Sequence, residues 1–407
     1  MTAMSALSLP NHPGPAGAAT TDPSATPDPS GITDGGPVRP CVTELRLAAF
    51  AGHRRALFAL GPLTLFTGPS GSGKSQALRA YEALARLAAG AELEEAFGDL
   101  AACVPERTPA DGQGRRGFRI GCTSDGPQGP VRLDIAIQAE PRPRVVGERL
   151  TCGGVVLLET ALRDPGRRSV QAAWHTAGSA PVTRAPFPDD RLGTPLLPLR
   201  VAGRTDGQRR VLAAAEQMVI ALRSVFPCDP SPGSMRAAVP PGTGRLLPGC
   251  GNLAAVLLRT RAECSRRHAL LTAAVAAGCA GRVTDLLVEP AGAGTVRALL
   301  DRGDGVRTPL GLLGDGELRY LALALVLLTG PGVLDVDPVA EVPAALQTLT
   351  VVADDLGRGM DPRQTRELLS LAARMCERGH IRLVGALGEG VCSAGAADGV
   401  TVVDLGP

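Results

Sequence analysis

The chain has 407 residues, of which 44% are apolar and 20% charged, enough to bury a sizeable core in one large or two ordinary domains. Its 42 basic and 40 acidic residues leave a net charge of +2, which excludes the strongly basic balance of a dedicated nucleic-acid-binding protein. The longest strongly apolar run, residues 321–328, is well short of the roughly 20 residues that span a bilayer. A secretory signal would need a positively charged segment near the N-terminus, but the first lysine or arginine is Arg39. We therefore expect a soluble cytoplasmic protein with no membrane partner.

The lysine and cysteine residues narrow the kinds of site that can be expected. Lys74 is the only lysine among the 42 basic residues, so this one position is expected to need a compact ammonium rather than a planar guanidinium. The ten cysteines form no CxxC pair and lie near no histidine at zinc-ligand spacing, which indicates free thiols rather than a metal site or a disulfide framework.

The first 40 residues are rich in Pro, Gly, Ser, Thr and Ala without apolar periodicity, and they are predicted to be a disordered tail. Strands are then predicted at residues 43–47, 57–60 and 63–67 from alternating or continuous apolar positions. Apolar spacing of three and four predicts a helix at residues 76–87.

Between residues 117 and 174, short alternating runs separated by Asp-Gly and Pro-Gly turns predict an antiparallel β region. The strands predicted in that region and after it are at residues 118–122, 131–138, 148–151, 155–158, 285–288, 295–300, 348–353, 381–386 and 400–404. The helices predicted after it are at residues 209–224, 252–275, 318–328 and 361–378.

The segment Gly68–Ser75 lies between a predicted buried strand and a predicted helix, and it matches the Walker A pattern of a phosphate-binding loop. Its glycines let backbone N–H groups turn around the β-phosphate, and the helix adds its positive end. Lys74 is expected to reach the β- and γ-phosphates of ATP and the Ser75 hydroxyl to bind Mg²⁺. The candidate nucleotide-binding residues are Gly68, Pro69, Ser70, Gly71, Ser72, Gly73, Lys74, Ser75 and Gln76.

Two acidic residues, Asp354 and Asp355, end the predicted buried strand at residues 348–353. A P-loop protein needs a carboxylate on a neighbouring strand to complete the Mg²⁺ shell, and Asp354 is the candidate metal ligand. Asp355 is placed to polarise the attacking water, so Asp355 and Lys74 are the candidate catalytic residues.

In this order, the motifs resemble the ATP-binding-cassette class of P-loop ATPases, specifically its RecF, SMC and OLD-like branch of bacterial ATP-binding proteins. The resemblance extends over residues 43–407 and includes Glu44–Phe50, Asn252–Leu257, a signature-like segment at Leu313–Leu323 and a D-loop-like segment at Asp355–Pro362. About 240 residues separate Ser75 from the signature-like segment, without a coiled-coil heptad run, so the RecF and OLD-like members are more similar than true SMC proteins.

The resemblance implies an α/β P-loop NTPase core, in which helices flank a mixed or parallel sheet. An antiparallel β-rich and helical lobe is then inserted between the Walker A motif and the signature and Walker B segments. The expected boundaries are a tail at residues 1–40, the first core part at 41–110, the inserted lobe at 111–300 and the second core part at 301–407.

The resemblance also implies an ATP-dependent homodimer, in which Gly316 and Arg319 of one subunit face the phosphates bound by the other. DNA is a partner implied by the resemblance alone. Arginines crowd a predicted helix and a predicted turn and strand, and a solvated surface explains each group better than DNA binding does. They are Arg115, Arg116, Arg119, Arg259, Arg261, Arg266 and Arg267.

Three departures from the family pattern concern catalysis. Gly314 stands where the family has the signature serine, and Asp355 stands where it has a glutamate, with a carboxylate set back by about 1.5 Å. Leu387 falls near the position of the switch histidine, while His380 lies before the strand.

These observations leave three functions open. The first is a slow Mg²⁺-dependent ATPase that dimerises around ATP and hydrolyses its β–γ phosphoanhydride bond by positioning and charge neutralisation. The second is an ATP-dependent conformational switch with little or no hydrolysis, which the three departures favour. The third is a P-loop kinase of small molecules, which leaves the signature-like segment and the acid pair unexplained.

Overall fold

The computed structural model describes residues 38–175, 182–242, 244–336, 342–343, 346–388 and 399–406. Almost all of the expected N-terminal tail, residues 1–37, lies outside the described residues.

The largest sheet has eight antiparallel strands in the order β2-β1-β4-β5-β6-β7-β8-β9. Alternating burial along β5, with Val131, Leu133, Ile135 and Ile137 inward, shows that one face packs on the core and the other meets solvent. The strands are β1 (Cys41–Phe50), β2 (His53–Ala59), β4 (Arg116–Asp125), β5 (Val131–Glu140), β6 (Arg144–Cys152), β7 (Val155–Ala161), β8 (Ser169–His175) and β9 (Val182–Pro188).

The second sheet has five strands, all parallel, in the order β10-β14-β15-β3-β16. Every residue of β3, β14 and β15 is buried, as expected for parallel strands covered on both faces. The strands are β3 (Leu63–Thr67), β10 (Val225–Pro227), β14 (Leu349–Ala353), β15 (Ile381–Ala386) and β16 (Val400–Asp404).

The parallel sheet separates two hydrophobic cores. Phe66, Val352 and Val384 face the core shared with the antiparallel sheet and with helices α1 (Lys74–Ala88) and α3 (Asp206–Arg223). Neighbouring residues such as Leu65 and Val351 face the second core, which is centred on α7 (Asp315–Leu327) and α8 (Pro362–Cys376). Two further helices, α2 (Leu93–Phe97) and α4 (Pro232–Met235), are short.

The helix predicted at residues 252–275 is two helices, α5 (Leu253–Glu263) and α6 (Ser265–Gly278). The break is at Cys264, whose backbone is extended (φ −153°, ψ 94°) and whose sulfur accepts a hydrogen bond from the Arg267 N–H at the start of α6. The strand pair predicted beyond it is present with a third strand, as β11 (Asp285–Gly292), β12 (Thr295–Gly303) and β13 (Val306–Pro309).

Strands on both sides of the expected boundary at residues 110–111 belong to one sheet, because β1 pairs with β4. β3, the strand that leads into the glycine-rich loop and α1, belongs to the other, parallel sheet. The chain therefore has an α/β core with a parallel sheet, in which a glycine-rich loop leads from β3 to α1, and the β1–β2 hairpin of the antiparallel sheet contacts that loop and α1.

Candidate functional site

The loop between β3 and α1 has three glycines at positive φ: Gly68 (131°), Gly71 (85°) and Gly73 (99°). A Cβ at Gly73 would lie 2.7 Å from the His53 ring, so both the backbone angle and the space require glycine there. A Cβ at Gly71 would meet nothing within 4 Å, which leaves open space on that side of the loop.

The Lys74 ammonium lies inside this loop, where Nζ donates to the carbonyl oxygens of Gly68 (2.7 Å) and Pro69 (2.9 Å). Helix α1 begins at Lys74 with no side-chain cap and no acidic residue in its first turn. Among the described residues, no oxygen accepts a hydrogen bond from the amides of Gly73, Lys74 or Ser75. A helix N-terminus with free amides beside an ammonium favours binding of an anion.

One buried hydroxyl in the loop also lacks a partner. The Ser72 Oγ atom is buried and makes no hydrogen bond to any described residue. Pro69, Ser72 and Ser75 are half-buried, whereas Ser70 and Gly71 are exposed. An unsatisfied hydroxyl among free amides is consistent with a loop that acquires its hydrogen-bond partners from a bound phosphate group.

The β1–β2 hairpin holds the loop from the side. The His53 Nε2 atom lies 3.1 Å from the Gly73 carbonyl oxygen, and the Gly52 N–H donates to Gln76 Oε1 at 2.8 Å. Gln76 is one of the residues expected to bind nucleotide, and in this structure its side-chain oxygen accepts the hydrogen bond from Gly52. The sequence did not single out His53, since nothing in a lone histidine before a predicted strand indicates contact with a loop 20 residues away.

The two candidate acids lie at the carboxyl edge of the parallel sheet. Asp354 follows β14 and is half-buried, whereas Asp355 is exposed and has φ of 50°. The Asp355 N–H donates to Asp354 Oδ1 at 3.0 Å, which orients the Asp354 carboxylate. Burial raises the pKa of Glu82 on α1, Arg86 opposes that shift, and the Asp354 carboxylate raises the pKa further, so Asp354 acts electrostatically on α1.

A third acid at this edge was not singled out from the sequence. β10 runs parallel to β14 with Pro227 opposite Val352, so Asp229 follows β10 as Asp354 follows β14. The Asp229 side chain is 77% exposed, and its carboxylate also raises the pKa of Glu82. The sequence contained little to indicate this, because a three-residue strand has too few positions to show a pattern.

A magnesium ion at this edge would have few protein ligands. Within the described ranges, no group of three His, Cys, Asp or Glu residues is placed to hold a metal ion. The Ser75 hydroxyl and the Asp354 carboxylate are oxygen donors of the kind that Mg²⁺ takes from a protein when phosphate oxygens and water supply the rest. The donor set thus suits a metal that arrives with a nucleotide.

The signature-like segment is placed differently from the expectation. The Arg319 guanidinium is buried and donates to the Pro230 carbonyl oxygen (2.7 Å), with Asp229 Oδ1 at 3.4 Å. It therefore points into the chain and does not face a partner's phosphates, which corrects the role expected for it. The sequence did not indicate this burial, because an arginine at the fifth residue of a helix is usually exposed.

Gly316 likewise has a role within the chain. A Cβ at this residue would lie 2.1 Å from the Gly359 carbonyl oxygen and 3.1 Å from Met360 Cα. The start of α7 therefore packs directly against the D-loop-like segment after Asp355. Gly314, at the tip, is exposed.

After β15, no histidine stands at the position where the family that the sequence resembles has its switch histidine. Leu387 directly follows β15 and is buried, and its N–H donates to the Phe66 carbonyl oxygen at 2.9 Å. His380 precedes β15 at the opposite edge of the sheet, and burial lowers its pKa. Neither residue can contact a phosphate at the carboxyl edge as placed.

Four of the seven arginines considered for DNA binding are engaged within the chain. Arg115 pairs with Asp111 and Arg116 with Glu140, while Arg261 pairs with Asp285. Arg259 donates to the Gly244 carbonyl oxygen at 3.0 Å. The remaining three, Arg119, Arg266 and Arg267, are distributed over β4 and α6. The clustering seen in the sequence therefore does not persist as one basic helix face.

No family model matches the chain, and no curated protein matches it. Solved structures similar to it include the SMC head domain from Thermotoga maritima, at 12% identity and a TM-score of 0.41 over 89% of this chain and 94% of that one. An SMC head bound to the C-winged helix domain of ScpA is 10% identical, with a TM-score of 0.46 over 87% and 92%.

A third similar structure is the Smc head domain with an extended coiled coil bound to the C-terminal domain of ScpA, from Pyrococcus furiosus. It is 9% identical, with a TM-score of 0.43 over 87% of this chain and 91% of that one. At these identities and TM-scores the neighbours assign neither a family nor a function to this chain. No helix in the described part of the chain has the length and apolar character needed to cross a bilayer.

Proposed function

We propose that the chain binds ATP with Mg²⁺ through residues 68–75 and dimerises around the bound nucleotide as a slow ATPase. The observation that supports this most directly is the position of Lys74, whose ammonium is held at 2.7 Å and 2.9 Å by two loop carbonyls beside the uncapped start of α1. A compact ammonium at that point can move to the β- and γ-phosphates while the loop amides bind the β-phosphate.

The residues have distinct roles in this proposal. The loop amides and Lys74 position the polyphosphate, and Ser75 and Asp354 would hold magnesium. Magnesium would neutralise charge on the phosphate oxygens. Asp355, exposed at the carboxyl edge beside Asp354, would orient a water molecule for attack on the γ-phosphate.

Substitution of Lys74 tests nucleotide binding directly. We expect Lys74→Ala to weaken ATP binding at least 100-fold, on the order of the charge-assisted contacts it removes, and Lys74→Arg to fail as well because the planar fork is wider than the loop. Equilibrium binding of a fluorescent ATP analogue measures this. Thermal unfolding without nucleotide is the control, and full affinity in both variants would remove the basis for the proposal.

A conformational switch with little hydrolysis is the second candidate. The specific observation in its favour is that Leu387 is buried where a phosphate-contacting histidine would be, so no histidine of the described edge assists Asp355 in activating water. Phosphate release from the wild type, measured with and without DNA, separates the two. Turnover that stays at the Lys74→Ala background while ATP still binds would favour the switch.

A small-molecule kinase remains the third candidate. A kinase must bind a small molecule that accepts the phosphate, whereas an ATPase that dimerises around ATP needs no such acceptor. The mass of the protein in ATP and Mg²⁺ is therefore the observation that separates a kinase, which has no need to dimerise, from an ATPase that closes around the nucleotide.

A further inference from the structure

An arginine that the sequence did not single out lies at the tip of α7. Arg236 follows the short helix α4, whose last residue, Met235, is anchored in the core. The Arg236 Nη2 atom donates to the Leu313 carbonyl oxygen (2.9 Å) and to Asp315 Oδ1 (2.7 Å). Arg236 is therefore held at the segment that would face a partner's nucleotide in the proposed dimer.

Two arginines join the same pair of segments from opposite directions. Arg319 reaches from α7 to Pro230, and Arg236 reaches back from the end of α4 to Leu313. The Arg319 side chain is 5% exposed, whereas that of Arg236 is 34% exposed. Of the two, only Arg236 can also contact a molecule outside the chain.

The charge at the tip explains why a cation is needed there. The first turn of α7 contains Asp315 and Glu317, and the Asp315 side chain is 67% exposed. These carboxylates occupy the positive end of the helix dipole and would repel an incoming polyphosphate. Glu317 is engaged by the amides of Ala280 and Gly314, which leaves the exposed Asp315 as the main repulsive group. The cation in contact with it is Arg236.

We propose that Arg236 contacts the terminal phosphate of the ATP bound by a second copy of this chain. This inference rests on the proposed ATP-dependent dimer. Both intramolecular contacts are made by Nη2, and a guanidinium has further N–H donors on its other two nitrogens. Asp315 and the Leu313 carbonyl fix the guanidinium plane, and the remaining donors bind the phosphate. Arg236 thus supplies the contact that Gly314, without a hydroxyl, cannot make.

The dimer dissociation constant in ATP and Mg²⁺ tests this role. All variants are made in the Asp355→Asn parent, in which ATP hydrolysis does not return the dimer to monomers. Sedimentation measures the dimer dissociation constant. Arg236→Gln can still donate to the Leu313 carbonyl but lacks the charge, so it is expected to weaken the dimer at least tenfold. The dissociation constant of Arg236→Lys is expected to lie between those of the parent and of Arg236→Gln. ATP affinity of the monomer should not change, because each P-loop is intact.

Arg149→Ala is the matched control, since Arg149 also pairs with a single exposed carboxylate, Glu159, but lies on the antiparallel sheet. It should leave the dimer unchanged. A parent that stays monomeric with ATP overturns both the dimer and the role of Arg236. A parent that dimerises while Arg236→Gln dimerises equally well overturns the role of Arg236 alone.

A double variant separates phosphate contact from simple neutralisation of Asp315. If Arg236 binds phosphate, Arg236→Gln with Asp315→Asn remains at least several-fold weaker in dimerisation than Asp315→Asn alone. If the two constants agree, Arg236 only neutralises Asp315 and the proposal is wrong. Thermal unfolding of each variant without nucleotide verifies that the fold is retained.

Discussion

The backbone of Asp355 lies in the left-handed region, which Asp and Asn adopt more readily than residues with longer side chains. Asp355→Asn should therefore keep the local structure and lower ATP turnover by about 100-fold, the usual order of a lost general base. ATP affinity should be unchanged because Asp354, not Asp355, is the metal-side acid. Phosphate release and ATP binding measured on one preparation check this, and turnover equal to an active wild type would contradict it.

The left-handed backbone also bears on Asp355→Glu. A glutamate would extend the carboxylate toward the attacking water and should raise turnover, but the left-handed backbone conformation costs glutamate about 1 kcal/mol. We therefore expect higher turnover together with a lower unfolding temperature. Phosphate release and thermal unfolding of this variant are the two measurements. Higher turnover without any loss of stability would show that φ at this residue relaxes freely.

His53 is expected to position the P-loop. Its ring contacts the Gly73 carbonyl through Nε2 and packs edge-on to Phe58 at 5.5 Å. Loss of one hydrogen bond of about 1 kcal/mol should weaken ATP binding roughly fivefold in both His53→Ala and His53→Phe. The phenylalanine keeps the ring packing, so wild-type affinity in His53→Phe would assign the effect to packing rather than to the hydrogen bond.

The residues that the sequence could identify are those fixed by spacing along the chain. Lys74 and Ser75 follow from the glycine pattern, and Asp354 follows from a buried strand that ends in acids. His53 and Asp229 could not be identified, because their proximity depends on a hairpin contact and on the order of strands in the sheet. Such contacts join residues that are distant in sequence and leave no local pattern.

At the scale of elements, the start of α7 depends on direct backbone contact with the segment after β14. A Cβ at Gly316 would lie 2.1 Å from the Gly359 carbonyl oxygen, and backbone cannot give way as a flexible side chain can. We expect Gly316→Ala to destabilise the fold by about 1–3 kcal/mol, the usual cost of overpacking, despite its better helix propensity. Chemical denaturation measures the change.

Gly314→Ala provides the comparison for Gly316→Ala. A Cβ at Gly314 would find its nearest neighbour, Glu317 Oε2, at an ordinary 3.8 Å, and the residue is exposed. The free energy of unfolding of Gly314→Ala should stay within about 0.5 kcal/mol of the wild type, as for most surface substitutions. Equal destabilisation by the two substitutions would mean that the contact with Gly359 is not the cause.

Elements with strong local signals were predicted well, and the failures have local causes. β3 and β14 are mostly apolar, with threonine as their only polar residue type, and their predicted residues match the structure closely. β9 was missed because Pro186 and Pro188 argue against a strand, yet it is the last strand of its sheet, where proline is tolerated. The break at Cys264 was missed because no glycine or proline marks it.

At the scale of the whole molecule, the P-loop and the signature-like tip belong to different parts of the fold. The P-loop begins α1, which packs in the core shared with the antiparallel sheet, and α7 lies in the core on the other face of the parallel sheet. Each core stabilises one half of the expected composite site. A second copy related by a two-fold axis would bring the tip of one chain to the P-loop of the other.

We therefore expect Asp355→Asn to be a monomer without nucleotide and a two-fold homodimer with ATP and Mg²⁺. Binding of a ligand that contacts both copies shifts the equilibrium toward the dimer by its extra affinity for that state. ADP should leave the monomer in place because it lacks the γ-phosphate that Lys74 of one chain and Arg236 of the other would share. Lys74→Ala in the same background is the control and should not dimerise with either nucleotide. Light scattering measures the mass in each condition, and one mass without nucleotide, with ADP and with ATP would leave a monomeric P-loop protein, such as a kinase, as the better interpretation.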